Sequence, residues 1–334
     1  MRRADQRRKL VADKSNSHSR GELWALGSVL GYASANIFDR LAVNAGDPLV
    51  GPFLRGFPSL LLGVALVWKH GTRDQLRPSS PRYIGGRAIM PFVWAGSLST
   101  VGLFLYYFAI RAGGVIITVP LLQTWVIWGT LAAWLMLGEQ LRGFLLAGWS
   151  LIGLGLASLI LGELRGHPLT AAWYWSLPLA ALAAISYGVS GVLWRQGQLR
   201  GAHQSTAILL QFVTSVAVGL VGLAIFGRLA LLATTPARSL LNFLESGLLS
   251  GVIAIYCIFT ALRLAQVARV NAISSLTPLT AVLFARSFLR EDLNLPMLAG
   301  VVLICGGVAL TEVFRNRDGS ENQPAVERSQ EVGS

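Results

Sequence analysis

Residues 138–148 read GEQLRGFLLAG, and residues 290–300 read REDLNLPMLAG. Each sets a glutamate at the start of an apolar run that closes on Leu-Ala-Gly, 152 positions apart. At this offset Ala109 falls on Ala261, Arg111 on Arg263, Val115 on Val267 and Glu139 on Glu291. Further on, Leu151-Ile152 falls on Leu303-Ile304 and Gly155 on Gly307. An offset of 155 puts Tyr32 on Tyr187 and Arg40 on Arg195. Leucine and small residues recur by chance in any apolar sequence, so these identities alone carry little. The shared order carries more: a long aromatic-containing segment, a short turn, a second segment, a glutamate and a small-residue segment. The chain reads as a duplication.

The duplicated material is of one kind. Of 334 residues, 53% are hydrophobic and only 13% charged, about half the charge of an ordinary soluble domain. A water-facing surface cannot be covered with so little charge. The apolar residues fall in ten blocks: 23–41, 49–68, 88–110, 115–137 and 144–161, then 173–194, 205–226, 241–262, 270–289 and 295–314. Crossing about 30 Å of hydrocarbon takes about 20 helical residues, and lipid offers a backbone no hydrogen-bond partners, so each block is expected to be a helix. The expectation is an all-α integral membrane protein of about ten spans.

Charge orients it. With the amino terminus inside, twenty Lys and Arg fall at the inner ends and seven at the outer ends, with Arg55 within a span. Positive charge marks the cytoplasmic side, which predicts a multi-pass cell-membrane protein with both termini cytoplasmic. The net charge of +12 is thereby used on anionic headgroups, and no nucleic-acid motif accompanies it. Residues 1–21 are basic, without the apolar core of a cleavable signal. Residues 315–334 are polar and are expected to be a disordered cytoplasmic tail. Cys257 and Cys305 both lie in apolar blocks and read as packing residues.

Five spans per copy is an odd number, so a second copy that starts on the other side inserts upside down. The copies then occupy residues 22–162 and 163–314 and enclose a central cavity. Inverted repeats of this kind are a common plan of transporters, with the substrate between them. The short-looped spans, the repeated GE.L…G..L...G..L pattern at Gly138–Leu156 and Glu291–Leu310, and a mid-helix proline in the ninth span resemble EamA-type members of the drug/metabolite transporter superfamily. The resemblance covers about residues 22–314. It implies a helix basket of two inverted five-span halves that exports or exchanges small metabolites. Two departures stand out: Pro120 does not match Pro278 in position, and Arg290 stands where the first copy has Gly138.

Polar residues inside the blocks are the candidates for chemistry. A charge in hydrocarbon costs about 2.5–3.5 kcal/mol on insertion scales, so Arg55 is expected to face the interior. It can hold a substrate carboxylate or phosphate by a bidentate fork, or it can cap carbonyls or pair with a neighbour. Gln211 takes its place in the second copy. Gln123 and Thr124 in the fourth span, and Asn271 and Ser275 in the ninth, are expected to face other helices. Pro120 and Pro278 invite kinks there. Trp94, Trp125, Tyr187 and Tyr256 are placed deep enough to stack on substrate, whereas Tyr106, Tyr107 and Trp194 suit an interface belt. Asp39 and Glu245 are the candidates for ion coupling, although Asp39-Arg40 also suits a headgroup contact. Glu139 and Glu291 read as helix amino-terminal caps.

Chemistry of other kinds finds no motif. There is no ATP-binding loop, no set of metal ligands and no nucleophilic triad, so neither metal nor cofactor is expected. The leading expectation is a secondary transporter, an exporter or exchanger of small metabolites such as amino acids, in the lipid bilayer; a homo-oligomer is compatible with it. The alternative is an integral-membrane enzyme acting on a lipid. A membrane receptor is a third class, for which the short loops leave no output module.

Overall fold

The structure, a computed structural model, describes residues 2–139, 143–166 and 171–321. Its helices are α1 (Arg2–Ala45), α2 (Gly51–His70), α3 (Gly86–Leu122), α4 (Trp125–Leu137) and α5 (Gly143–Gly166), then α6 (Ser176–Leu199) and α7 (Gln204–Ile225). α8 runs over Ala237–Leu248 and through a π turn, Leu249–Ala254, into Ile255–Leu264. α9 comprises Val267–Ser274 and Thr277–Phe284, closed by a π turn at Ala285–Leu289, and α10 is Leu295–Glu321. No strand occurs among the described residues. Eight helical stretches among them are long and apolar enough to cross a membrane. Leu146, Leu154 and Leu161 stand exposed along one side of α5, a stripe that lipid covers and water does not.

The ten expected blocks all fall on helix, with two adjustments. The third and fourth are not separated by a loop. α3 runs through the third and into the fourth as far as Leu122, and the chain turns at the single residue Gly114, whose φ of 73° breaks the helix. α10 extends to Glu321, into the stretch expected to be disordered, and residues 322–334 lie outside the described ones.

The opening motif explains how the copies meet. α5 and α10 cross with backbone against backbone. A Cβ built on Gly155 would stand 2.6 Å from the Gly300 carbonyl oxygen, and one on Gly300 2.5 Å from that of Gly155. Gly148 and Gly307 repeat this, at 2.9 and 2.6 Å. The offset of 152 carries Gly148 to Gly300 and Gly155 to Gly307, so the contact maps onto itself with its partners exchanged. That is the signature of a two-fold axis. Because 148 meets 307 while 155 meets 300, the helices are antiparallel. Equivalent segments thus run in opposite directions, and the copies are inverted.

The other pairs obey the same exchange. α2 packs on α7, its own counterpart, with Gly63 at Leu209 and Gly219 at Phe53. α1 packs on α8, with Gly31 at Ala254 and Gly21 at Ala265, and α3 packs on α6, with Gly102 at Ser186 and Gly113 at Ser176. Tracing these pairs defines two faces. The amino-terminal face holds the beginning of the apolar part of α1, the α2–α3 link, Arg195 and Glu139. The opposite face holds Arg40, the α1–α2 link and Glu291.

Both departures noted in the sequence leave the backbone unchanged. Gly138 ends α4 in the left-handed conformation, φ 71°, and the Glu139 N–H reaches back to the Ala133 carbonyl. Arg290 ends α9 in the same conformation, φ 57°, and the Glu291 N–H reaches back to Ala285, the residue matching Ala133. Likewise the fourth and ninth passes both break at matched positions, Gln123-Thr124 and Ser275-Leu276. Pro120 precedes its break, while Pro278 begins the helix that restarts after the other, where a missing N–H costs nothing. At the first break the ladder tightens to bonds three residues apart, from Gln123 N to Pro120 O and from Thr124 N to Leu121 O.

Candidate functional site

Inside the basket, in the half towards the amino-terminal face, lies a cavity of about 760 Å³. Its walls come from both copies: Ser28, Tyr32 and Asn36 of α1, Arg55 and Ser59 of α2, Ser99 and Tyr106 of α3, Tyr187 and Trp194 of α6, and Gln211 of α7. Both helix breaks reach it, through Gln123 with Trp125 and through Ser274 with Ser275. Broken helices free backbone groups and invite bending, and a membrane interior tolerates them only beside protein or a cavity. The π turn of α8 contributes Ser250 and Gly251.

The floor of the cavity is an anchored charge. Asp39 is fully buried, and the Arg55 guanidinium donates to its Oδ2 at 2.8 Å. The Tyr107 hydroxyl donates to Oδ1 at 3.0 Å. The Tyr106 hydroxyl lies 2.8 Å from Asn36 Oδ1 and 3.2 Å from Asp39 Oδ2, shared between them. Arg55 Nε points to the Ser250 hydroxyl at 3.3 Å, and the guanidinium carbon lies 5.9 Å from the centre of the Tyr106 ring. This arrangement neutralises both charges, fixes the arginine against α1 and α3, and keeps an edge of it on the cavity. Farther towards the mouth, Asn271 Nδ2 donates to Glu312 at 3.0 Å. The Trp125 indole N–H donates to Gln123 Oε1 at 3.0 Å, which holds the ring across the α3–α4 break.

Of the residues singled out by sequence, Arg55, Gln123, Trp125, Tyr187, Gln211, Asn271 and Ser275 all come together on this wall. Three do not. Thr124 is buried behind it, its hydroxyl on the Leu121 carbonyl at 3.0 Å. Trp94 and Tyr256 point outwards, 57% and 62% exposed. Their neighbours explain this. Ala95 and Gly96 turn the inner face of α3 onto α6 and α7, and Cys257 turns that of α8 onto α1, so each aromatic, one residue away, is rotated to the outside. Tyr256 meets Trp24 edge-on, with ring centres 5.7 Å apart.

The carboxylates are also redistributed. Asp39 is at the floor rather than at headgroups. Glu245 is exposed on the outer side of α8, because the next residues, Ser246 and Gly247, face inwards and Gly247 packs on the Arg55 backbone. Tyr106 and Tyr107, expected at an interface, are buried at 1% and 0% exposure. Their need for hydrogen-bond acceptors in a dry interior, which Asp39 supplies, was the available signal. Glu312 on the cavity wall was missed, since it stands at the polar end of an apolar block. Glu291 caps a helix, though not its own. Its carboxylate accepts from Val115 N at 2.9 Å and from Ile116 N at 3.0 Å, where α3 resumes after Gly114.

Comparison with known proteins agrees with this architecture. A 141-residue stretch, 42% of the chain, is 29% identical to 96% of a Sinorhizobium sp. protein described as an uncharacterized transporter in the cobO 3' region. A solved structure described only as the crystal structure of a protein matches 90% of this chain and 99% of its own at a TM-score of 0.58, with 17% identity, which speaks for the fold alone. The model of the EamA-like transporter family matches residues 19–161 and again 174–313, once on each copy. The chain belongs to the EamA-like transporter family.

Proposed function

We propose that this membrane transporter is a secondary carrier, an exporter or exchanger of small organic metabolites such as amino acids, working by alternating access between its inverted copies. The observation that carries this reading is the cavity of about 760 Å³ between the copies, a size suited to a small molecule. Its aromatic, amide and hydroxyl walls suit an amphipathic solute. The substrate enters from the amino-terminal face and sets a carboxylate against the free edge of Arg55. Its apolar part lies against Trp125 and Tyr187, and Gln123, Gln211, Asn271 and Ser275 bond its polar groups. Asp39 acts as the anchor of Arg55 rather than as an ion carrier. The excess of positive charge on the amino-terminal face supports a cell-membrane orientation with both termini cytoplasmic, so the cavity faces the cytoplasm.

Counterflow in proteoliposomes tests this. Vesicles are preloaded with one unlabelled amino acid, nucleoside or sugar phosphate at a time, and uptake of its labelled form is followed. Saturable exchange whose half-saturating concentration rises in Trp125→Ala is expected for one class, and silence across all of them would count against the carrier. Orientation is read separately in the Cys257→Ser/Cys305→Ser background. Single cysteines at Ser79 and Thr234, exposed on opposite faces, are expected to label from opposite sides.

A further inference from the structure

Two ion pairs join the copies, and the duplication exchanges them. Arg40 of the first copy meets Glu291 of the second at 3.3 Å, and Arg195 of the second meets Glu139 of the first. Arg40 corresponds to Arg195 and Glu139 to Glu291, so the pairs sit at equivalent places on opposite faces. Their surroundings differ. On the face opposite the cavity, the pair is four-fifths buried or more, at 20% and 15% exposure. There Glu291 takes the N–H groups of Val115 and Ile116, while Arg40 donates to the carbonyls of Ile110 and Arg111, the last at 2.8 Å. The pair therefore clasps both sides of the break at Gly114, with Glu291 reaching it from the other copy.

On the face of the cavity, Arg195 and Glu139 are 50% and 29% exposed. Glu139 pairs with Arg195 and is about twice as exposed as Glu291. The chain offers it the equivalent dock. Gln266, the counterpart of Gly114, is extended, with φ −63° and ψ 136°, and a helix restarts at Val267, the counterpart of Val115. One face thus shows a buried carboxylate docked on a broken helix, and the other a more exposed pair in a chain that carries an equivalent break.

We infer that Glu291 and Glu139 are the two alternate latches of the transport cycle. Glu291 docked on Val115 and Ile116 seals the face opposite the amino terminus while the cavity is open to the other. In the complementary state Glu139 docks on the N–H groups of Val267 and Ala268, and Glu291 withdraws to a solvated pair with Arg40. The two-fold exchange requires this, since each copy then adopts the conformation the other has here. Each latch favours one state only, which is what a shift of population needs. The inference rests on the alternating-access reading above.

The test reads the direction of opening, independently of any substrate. In the Cys257→Ser/Cys305→Ser background, Ser99→Cys places one thiol on the cavity wall. A membrane-impermeant maleimide is added to either side of oriented vesicles. Losing a charge-assisted hydrogen bond shifts such an equilibrium by about tenfold. Glu291→Gln is expected to raise the ratio of opposite-face to amino-terminal-face labelling by about this factor, and Glu139→Gln to lower it. The double variant is expected to restore the parent ratio. Shifts of the same sign, or no shift in folded protein, would overturn the inference, because merely structural contacts predict no opposed signs. If Glu291→Gln does not accumulate, Glu139→Gln, whose pair is solvated, decides the matter alone by lowering the ratio or not. Counterflow by the parent is measured beside it. Exchange without a labelling shift removes the latches and keeps the carrier, whereas opposed shifts without exchange of any solute keep the latches and remove the substrate reading.

Discussion

Replacing Asp39 by Asn keeps the shape of the side chain and removes its charge. In the structure that charge is fully buried, 2.8 Å from an Arg55 nitrogen, with tyrosine hydroxyls at 3.0 and 3.2 Å. Unit charges at this separation attract by about 6 kcal/mol at an effective dielectric of about 20. Desolvation offsets most of that gain, so the pair adds little net stability while both partners are present. Removing one partner strands the other, at about 3–5 kcal/mol. Arg55→Gln strands the fully buried Asp39 and is therefore expected to cost about 3–5 kcal/mol, and Asp39→Asn about 3 kcal/mol, at the low end because Arg55 keeps an edge on the cavity. The double variant leaves none, and is expected to cost less than the sum of the two by at least about 3 kcal/mol, the mark of a directly coupled pair. Unfolding in mixed micelles, followed by tryptophan fluorescence, measures all three. Additive costs, or an Asp39→Asn protein as stable as the parent, would refute the view that Asp39 is the anchor of Arg55.

Arg290 holds a left-handed backbone at a position where the first copy has glycine, and its side chain is exposed. Arg290→Gly is expected to stabilise the protein by about 1 kcal/mol, read as a raised unfolding midpoint. Gly155→Ala and Gly300→Ala each push a methyl into a backbone carbonyl across the same two-fold contact, and are expected to destabilise by about 1–3 kcal/mol each. Unequal effects, with one variant neutral, would contradict the isologous packing. Trp125→Ala and Tyr187→Ala are expected to raise the half-saturating substrate concentration in counterflow about tenfold or more, as loss of a buried aromatic contact does. Trp94→Ala and Tyr256→Ala, on the outside, are expected to leave it within about twofold.

Much of the fold was legible because the membrane limits the solutions. Block length gives the helices, and an odd number of spans per copy gives inversion. The repeated Glu and Leu-Ala-Gly showed that two copies exist, yet only the pairing of Gly148 with Gly307 and Gly155 with Gly300 shows how they meet. Arg55 and the polar residues of the fourth and ninth passes were identified because hydrocarbon makes polar groups turn inwards. Trp94 and Tyr256 were misplaced because depth along a helix says nothing of rotation about its axis. An aromatic is at home in lipid as well as in a cavity, so its identity does not choose the side. The partnership of Asp39 with Arg55 and of Arg40 with Glu291 joins residues whose separation in the chain carries no local signal.

The turn of α3 at the single residue Gly114 has a mechanical consequence. With no loop between the third and fourth passes, the stretch from Gly114 to Gln123 is a rigid arm about 13 Å long, at 1.5 Å per residue. A rotation of about 10° at its pivot carries the Gln123 end sideways by about 2 Å, by the same rise per residue. That is comparable to the radius of a methyl group. A small angular change at a clasped fulcrum is thus enlarged where a bound molecule would feel it, without any change of length in the arm itself.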